Sequence, residues 1–209
     1  MIVVIDYGMG NLRSVYNAFR HIGIEAELAT TPRPLADAGA IVLPGVGAFG
    51  ETMKNLERMG FVEALQREVI EKGKPFLGIC IGMEVMLTRS FEHGEHAGLA
   101  WIAGDVRRFD NSPPQQNLRV PHVGWNSVDF DRADPLVQDL GGRQDFYFVH
   151  SYYCQPRDAA MVVGSCDYGT RFAAIVANGN LRGVQFHPEK SHRAGLTLLK
   201  NWAAHAGQC

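Results

Sequence analysis

A mostly parallel central sheet, flanked by helices and extended by antiparallel strands, is the α/β fold this sequence predicts. Three observations carry it. In the first half, short apolar runs alternate with stretches of helical periodicity, the βαβ pattern of a sheet covered on both faces. In the second half, short strand candidates follow one another with turn residues between them, the pattern of antiparallel additions. The 209 residues show no internal repeat, linker or low-complexity tract, which suits one domain spanning 1–209.

The elements follow in order. Residues 2–5, Ile-Val-Val-Ile, form a buried strand that stops at Asp6. Asn11 is placed to cap a helix on which Leu12, Val15, Tyr16 and Phe19 recur at helical spacing, and Gly23 ends it. Residues 24–29 alternate like a strand, and 40–43 are a third apolar run, cut off by Pro44-Gly45-Val46-Gly47. A helical pattern spans 48–72 with a break at Met59-Gly60. Residues 75–79 are a fourth run, followed by a helix. Further strands are predicted at 105–109, 126–130, 145–149, 161–165, 173–177 and 180–186, with a loop at 110–120. The tail from Ser191 is helical, with Leu196, Leu199 and Ala203 on one face.

Composition excludes several classes of function. A net charge of −2 gives no reason to expect a nucleic acid or an acidic membrane as partner. The four cysteines, at 80, 154, 166 and 209, show no CxxC spacing, which argues against a zinc site and a redox pair. The N-terminus lacks a basic leader, and its apolar run is too short for a signal peptide or a membrane span. Free thiols fit a reducing, cytoplasmic setting.

The chemistry is concentrated at Gly78-Ile79-Cys80-Ile81-Gly82, where a strand should turn into a helix. A nucleophile at such an elbow projects above the carboxyl edge of the sheet, where α/β proteins place ligands. Small residues two positions either side let the strained turn pack closely. The N-terminus of the following helix would favour a thiolate. The competing interpretation is a buried cysteine acting as a small hydrophobe.

A cysteine nucleophile requires a base and a group to orient it. Of eight histidines, His93 and His96 fall in a polar loop and His205 in the tail, whereas His187 closes an apolar strand and precedes Pro188-Glu189. Residues two apart in extended chain share a side, so Glu189 can orient His187 and leave its other nitrogen for Cys80. The alternative is a strand-end histidine beside a solvated glutamate. Glycines around Val46 can turn a backbone N–H toward a bound carbonyl and, with the N–H of Ile81, form an oxyanion hole. The alternative there is an ordinary strand-to-helix turn.

The segments PGVG, GICIG and QFHPEKS, in this order, resemble the class I (triad) glutamine amidotransferases. With IDYGMGNLRSV, PHVGWNSV and YFVHSYY the resemblance runs nearly end to end, toward the glutaminase subunits of imidazole glycerol phosphate synthases. The resemblance implies hydrolysis of L-glutamine to glutamate and ammonia by a triad of Cys80, His187 and Glu189, with Val46 and Ile81 as oxyanion donors. It implies that Gly47, Glu84, Ser151 and Tyr152 contact substrate. It implies a separate (βα)8-barrel cyclase subunit in a heterodimer, met near Asn11, Trp125, Tyr147 and Lys190. That partner would receive the ammonia for histidine biosynthesis and would switch on a weak glutaminase. No metal or organic cofactor is implied.

Position 84 departs from the family pattern, which carries Gln where this chain has Glu. A glutamate there can still accept hydrogen bonds or pair with the substrate ammonium. Alternatively, its charge raises the Cys80 pKa. Other functions left open are a paralogous subunit supplying ammonia to another pathway, such as sugar amidation for a surface polysaccharide, and a cysteine peptidase-like thiol hydrolase. A non-catalytic module that kept the fold is disfavoured by the intact cysteine, histidine and glutamate.

Overall fold

The computed structural model describes residues 1–110 and 118–208. Its strands are β1 (Ile2–Ile5), β2 (Ala26–Ala29), β3 (Ala40–Leu43), β4 (Phe76–Ile79), β5 (Leu87–Ser90), β6 (His96–Ala97), β7 (Ile102–Arg108), β8 (His122–Phe130), β9 (Arg143–His150), β10 (Tyr152–Pro156), β11 (Val162–Asp167), β12 (Arg171–Asn178) and β13 (Leu181–Val184). The helices are α1 (Leu12–His21), α2 (Phe49–Arg58), α3 (Phe61–Leu65), α4 (Ile81–Glu84) and α5 (His192–His205). The centre is parallel, in the order β2-β1-β3-β4-β13. From β13 the sheet continues through β12, β10, β7, β5 and β6, while β11 links β12 to the β8–β9 hairpin. These outer pairings are antiparallel apart from β5 with β7.

The uninterrupted apolar runs are explained by burial on both faces: every residue of β1, β3 and β4 is buried. One face packs against α1 and α5, whose Phe19 and Trp202 rings lie 6.0 Å apart. The other packs against α2 and α3, through Phe49, Met53, Leu56 and Phe61. Gly60 adopts φ +73° at the junction of α2 and α3, which fixes the helix break at that point. Beyond α3 the chain widens into a π-helical turn, Gln66–Glu71. There the buried Glu68 carboxylate meets Arg67, Lys72 and Lys74 at 2.9–3.0 Å.

Several expectations are corrected. Among the described residues the Asn11 side chain makes no capping hydrogen bond, while its backbone carbonyl accepts from Ser14 N–H at 3.1 Å. The helix after the elbow is a single turn, because Val85-Met86-Leu87 is drawn into the sheet as β5 begins and Leu99 N–H bonds back to the Val85 carbonyl at 2.7 Å. Strands β5, β6 and β10 are additional to those expected, and β7 and β8 begin three to four residues earlier than predicted. On α5, Leu199 and Ala203 are buried and Leu196 only partly so; Leu198 and Trp202 complete the inner face. The central part of the expected loop, 111–117, lies outside the described residues. Among the described residues no helix is long and apolar enough to cross a membrane.

Candidate active site

Cys80 sits between β4 and α4 with φ +54° and ψ −110°, a conformation that L-residues adopt only under constraint. Its N–H is held by the Val184 carbonyl of β13 at 2.8 Å. The flanking glycines are dictated by space. A Cβ at residue 78 would lie 2.4 Å from the Gly82 carbonyl oxygen, and one at residue 82 would lie 1.8 Å from that of Leu43. The sheet and the turn are therefore pressed together around the thiol.

A cavity of about 260 Å³ opens over this turn. It brings together Cys80, Val46, Gly47, Ile81, Glu84, Ser151 and Tyr152, all expected from the sequence, and adds Glu92, Pro121, Val149 and His150, which were not. The Glu92 carboxylate accepts the Phe49 N–H at 2.5 Å. Placing Glu92 required the tertiary structure, because its loop carries no chemical pattern of its own.

His187 and Glu189 lie beyond β13, which ends at Val184 and not at 186 as expected; Glu189 sits in a 3-10 turn, Pro188–Lys190, so that turn and not extended chain pairs it with His187. The His187 Nδ1 meets Glu189 Oε1 at 2.9 Å, and both side chains are buried. The backbone of His187 is fixed twice: its N–H donates to the Tyr147 carbonyl at 2.9 Å, and its carbonyl accepts the Ser191 hydroxyl at 2.6 Å. Since a carboxylate only accepts, Nδ1 carries hydrogen and Nε2 is the basic nitrogen. That Nε2 is buried and, among the described residues, has no hydrogen-bond partner. Asn11, Val46, Ile79, His187 and Glu189 enclose a second, small space adjoining the first at Val46.

Gln185, two residues before His187, is fully buried and bridges the site. Its Nε2 donates to Glu84 Oε1 at 2.8 Å and lies 4.0 Å from Cys80 Sγ. No local pattern marks it, because Gln185 lies just past Val184, the last residue of β13, and its role depends on Glu84 and Cys80 across the site. Burial raises the Glu84 carboxyl to about 8; the Gln185 bond opposes this and the Glu92 charge adds to it. Glu84 is thus a neutral acid near pH 7, similar in shape and donor–acceptor capacity to a glutamine side chain.

The thiol of Cys80 is pushed up, by burial first and then by Glu84 and Glu189; the N–H of Ile81 and the amide of Gln185 pull the other way. The thiolate-favouring helix expected from the sequence is thereby corrected. With one turn in α4 there is no extended dipole, and the resting site holds a neutral thiol.

The expected partner-facing residues fall into two places. Trp125 is 48% exposed, stacks on His192 at 4.9 Å and meets Tyr147 edge-on at 6.2 Å. Lys190 Nζ lies 5.9 Å from the Tyr147 ring. Asn11 instead borders the small space beside His187.

A strained cysteine at the carboxyl edge of a parallel sheet, with a histidine–glutamate pair just beyond the neighbouring strand, defines an α/β protein of the cysteine-elbow class. Residues 3–206 match the family glutamine amidotransferase class-I. The chain is 49% identical over 204 residues to imidazole glycerol phosphate synthase subunit HisH of Syntrophotalea carbinolica, covering 97% of this chain and 98% of that one. It is 47% identical over 203 residues to the subunit of the same name from Geobacter sulfurreducens, covering 96% and 97%. The fold is like that of PurLQS from Thermotoga maritima, with a TM-score of 0.77 at 19% identity over 98% of this chain and 97% of that one. The chain belongs to the class I glutamine amidotransferase family and, within it, to the HisH subunits of imidazole glycerol phosphate synthase.

Proposed function

We propose that this chain is a glutaminase that hydrolyses L-glutamine and delivers ammonia to a separate (βα)8-barrel cyclase subunit, for imidazole glycerol phosphate formation in histidine biosynthesis. The likeness to HisH subunits over nearly the whole chain supports the pathway and the existence of a partner subunit. One observation carries the chemistry. Among the described residues the basic nitrogen of His187 has no hydrogen-bond partner while its other nitrogen is fixed by Glu189, just beyond the strand that pairs with the one leading into the constrained Cys80 elbow. The protein acts as a single domain, in the cytoplasm, as one half of a heterodimer.

Glutamine enters with its side-chain amide over Cys80. Its α-carboxylate lies against the backbone at Ser151–Tyr152 beside Gly47, and its α-ammonium faces Glu92 and Glu84. His187 Nε2 takes the thiol proton as Sγ bonds to the amide carbon, and Glu189 stabilises the imidazolium. The resulting oxyanion is met by the N–H groups of Ile81 and Val46. Collapse breaks the C–N bond, the imidazolium proton passes to the leaving nitrogen, and ammonia departs, leaving a thioester. Water, deprotonated by His187, then attacks that carbon; the C–S bond breaks, and glutamate and the free thiol are restored. Because the resting thiol is neutral, ionisation depends on the histidine and a bound substrate, which suits an enzyme that is weak until its partner binds. Trp125, Tyr147, Lys190 and Asn11 face that partner.

Glutamate release is measured for the chain alone and with the cyclase subunit plus its nucleotide ligand. Release that requires the complex and disappears in Cys80→Ala is the expected result. An absence of release with that partner would shift the function to a paralogue serving another pathway.

A further inference from the structure

Behind the Ser151–Tyr152 segment lies a buried chain of polar groups that the proposed chemistry does not use. His150 Nδ1 meets the Tyr152 carbonyl at 2.6 Å, and His150 Nε2 meets His122 Nδ1 at 2.9 Å. His122 Nε2 meets Asn126 Nδ2 at 3.2 Å. His122 and His150 face each other directly across β8 and β9.

The direction of every bond is fixed from both ends. A carbonyl only accepts, so His150 Nδ1 carries the hydrogen and its Nε2 must accept from His122 Nδ1–H. At the far end, the Asn126 carbonyl accepts from Ser127 N–H at 2.8 Å, and its amino group donates to the Asp167 carbonyl at 3.0 Å. The amide orientation is therefore set independently, and His122 Nε2 must accept from it. The two deductions agree: both imidazoles are neutral, and both carry hydrogen on Nδ1. The surroundings enforce this neutrality. His122 is sandwiched between Phe148 and Tyr168, and Phe109 and Phe172 pack against His150. Burial lowers His122 to about 4 and His150 to about 3.

We propose that His122 and His150 are positioning residues for glutamine, holding the backbone that receives its α-carboxylate in the one orientation that welcomes an anion. This rests on the glutaminase function and on the placement of that carboxylate at Ser151–Tyr152. The Ser151 carbonyl is held by Phe109 N–H at 3.1 Å, and the Tyr152 carbonyl by His150. With both carbonyls turned into the protein, their lone pairs are kept away from the carboxylate. Without the His150 donor, the Tyr152 carbonyl must find another partner, and its peptide is free to turn toward the cavity. Substrate affinity suffers then, while the reacting groups at Cys80 are untouched.

The test uses two substitutions that separate the two ring nitrogens. Asparagine places its amide nitrogen near the position of Nδ1, and glutamine places its own near Nε2. In the complex with the cyclase subunit and its nucleotide ligand, His150→Gln is expected to show a glutamine KM about tenfold above that of His150→Asn, the scale of one lost hydrogen bond. Their kcat values should agree within about threefold. Equal KM values in an active complex overturn the positioning role alone, whereas a wild-type complex that releases no glutamate overturns the function with this partner on which the role rests. Should either variant fail to fold, 15N NMR of histidine-labelled wild-type chain at pH 7 decides. Two neutral rings protonated at Nδ1 are expected, and an Nε2–H form or an imidazolium at either position refutes the chain.

Discussion

At the scale of single residues, the cavity is decided by which groups are denied water. Glu84 is 4% exposed and held to about 8 against an ordinary 4.5, by burial and the neighbouring Glu92. Between those two values the folded chain binds a proton that the unfolded chain has released, so this group's contribution to stability declines as pH rises through the window. Above pH 8 its charge adds to the forces that keep Cys80 protonated. Glu84→Gln removes both effects. Its melting temperature should gain on wild type from pH 5 to pH 8, and its kcat/KM should exceed wild type at pH 9 while staying within about threefold at pH 6.5. Thermal unfolding and a pH–rate profile check these outcomes, and a parallel course of the two proteins across that range would refute them. Below pH 8 the neutral acid offers one O–H donor and a carbonyl acceptor, so it can take part in hydrogen bonding much as an uncharged amide would.

At the scale of elements, the elbow and the π-helical turn show how local chemistry fixes a junction. Gly82→Ala would drive a Cβ to 1.8 Å from the Leu43 carbonyl, backbone that cannot step aside without moving β3. A loss of roughly 3 kcal/mol or more is expected, read by denaturant unfolding, together with loss of glutaminase activity. At Glu68, burial pushes the carboxyl up, but hydrogen bonds from Lys72, Lys74 and Arg67 outweigh it and hold the group at about 2. A lowered pKa contributes stability that is present above the ordinary value and lost as pH falls toward 2. Glu68→Gln should therefore be less stable at neutral pH and show a shallower decline in stability between pH 4.5 and pH 2. The consequence reaches beyond the turn, because Lys74 also holds the Leu35 and Ala36 carbonyls at 2.7 and 2.6 Å.

At the scale of the whole molecule, a parallel centre and an antiparallel extension meet at β13 and β12, and the proposed site straddles that seam. Cys80 and His187 come from the parallel side, and Ser151, Tyr152 and His150 from the antiparallel side. The hairpin of β8 and β9 carries Trp125 outward, with Val123 beside it at 55% exposure. A large aromatic exposed next to Tyr147, Lys190 and His192 suits a partner surface. Trp125→Ala should weaken binding of the cyclase subunit by about tenfold or more while leaving the melting temperature of the isolated chain within a few degrees. Titration of the two subunits measures the first outcome and calorimetry the second.

The sequence by itself determined the parallel centre, because strands buried on both faces must be written as continuous apolar runs, and β1, β3 and β4 are. It also determined the elbow, the HPE segment and the glycine loop, since each is local and carries its chemistry in adjacent residues. Tertiary structure alone decided the rest. Strand β10, Tyr-Tyr-Cys-Gln-Pro, is not a continuous apolar run, and it exists because β7 and β12 supply its partners. The helix after Cys80 stops after one turn because a sheet edge captures the chain that follows. Glu92, Gln185 and His150 became visible only when distant segments closed over Cys80, and the neutrality of Glu84 and of the two histidines follows from that closure. Hydrophobic periodicity is written along the chain, whereas desolvation and hydrogen-bond direction depend on what the fold places opposite.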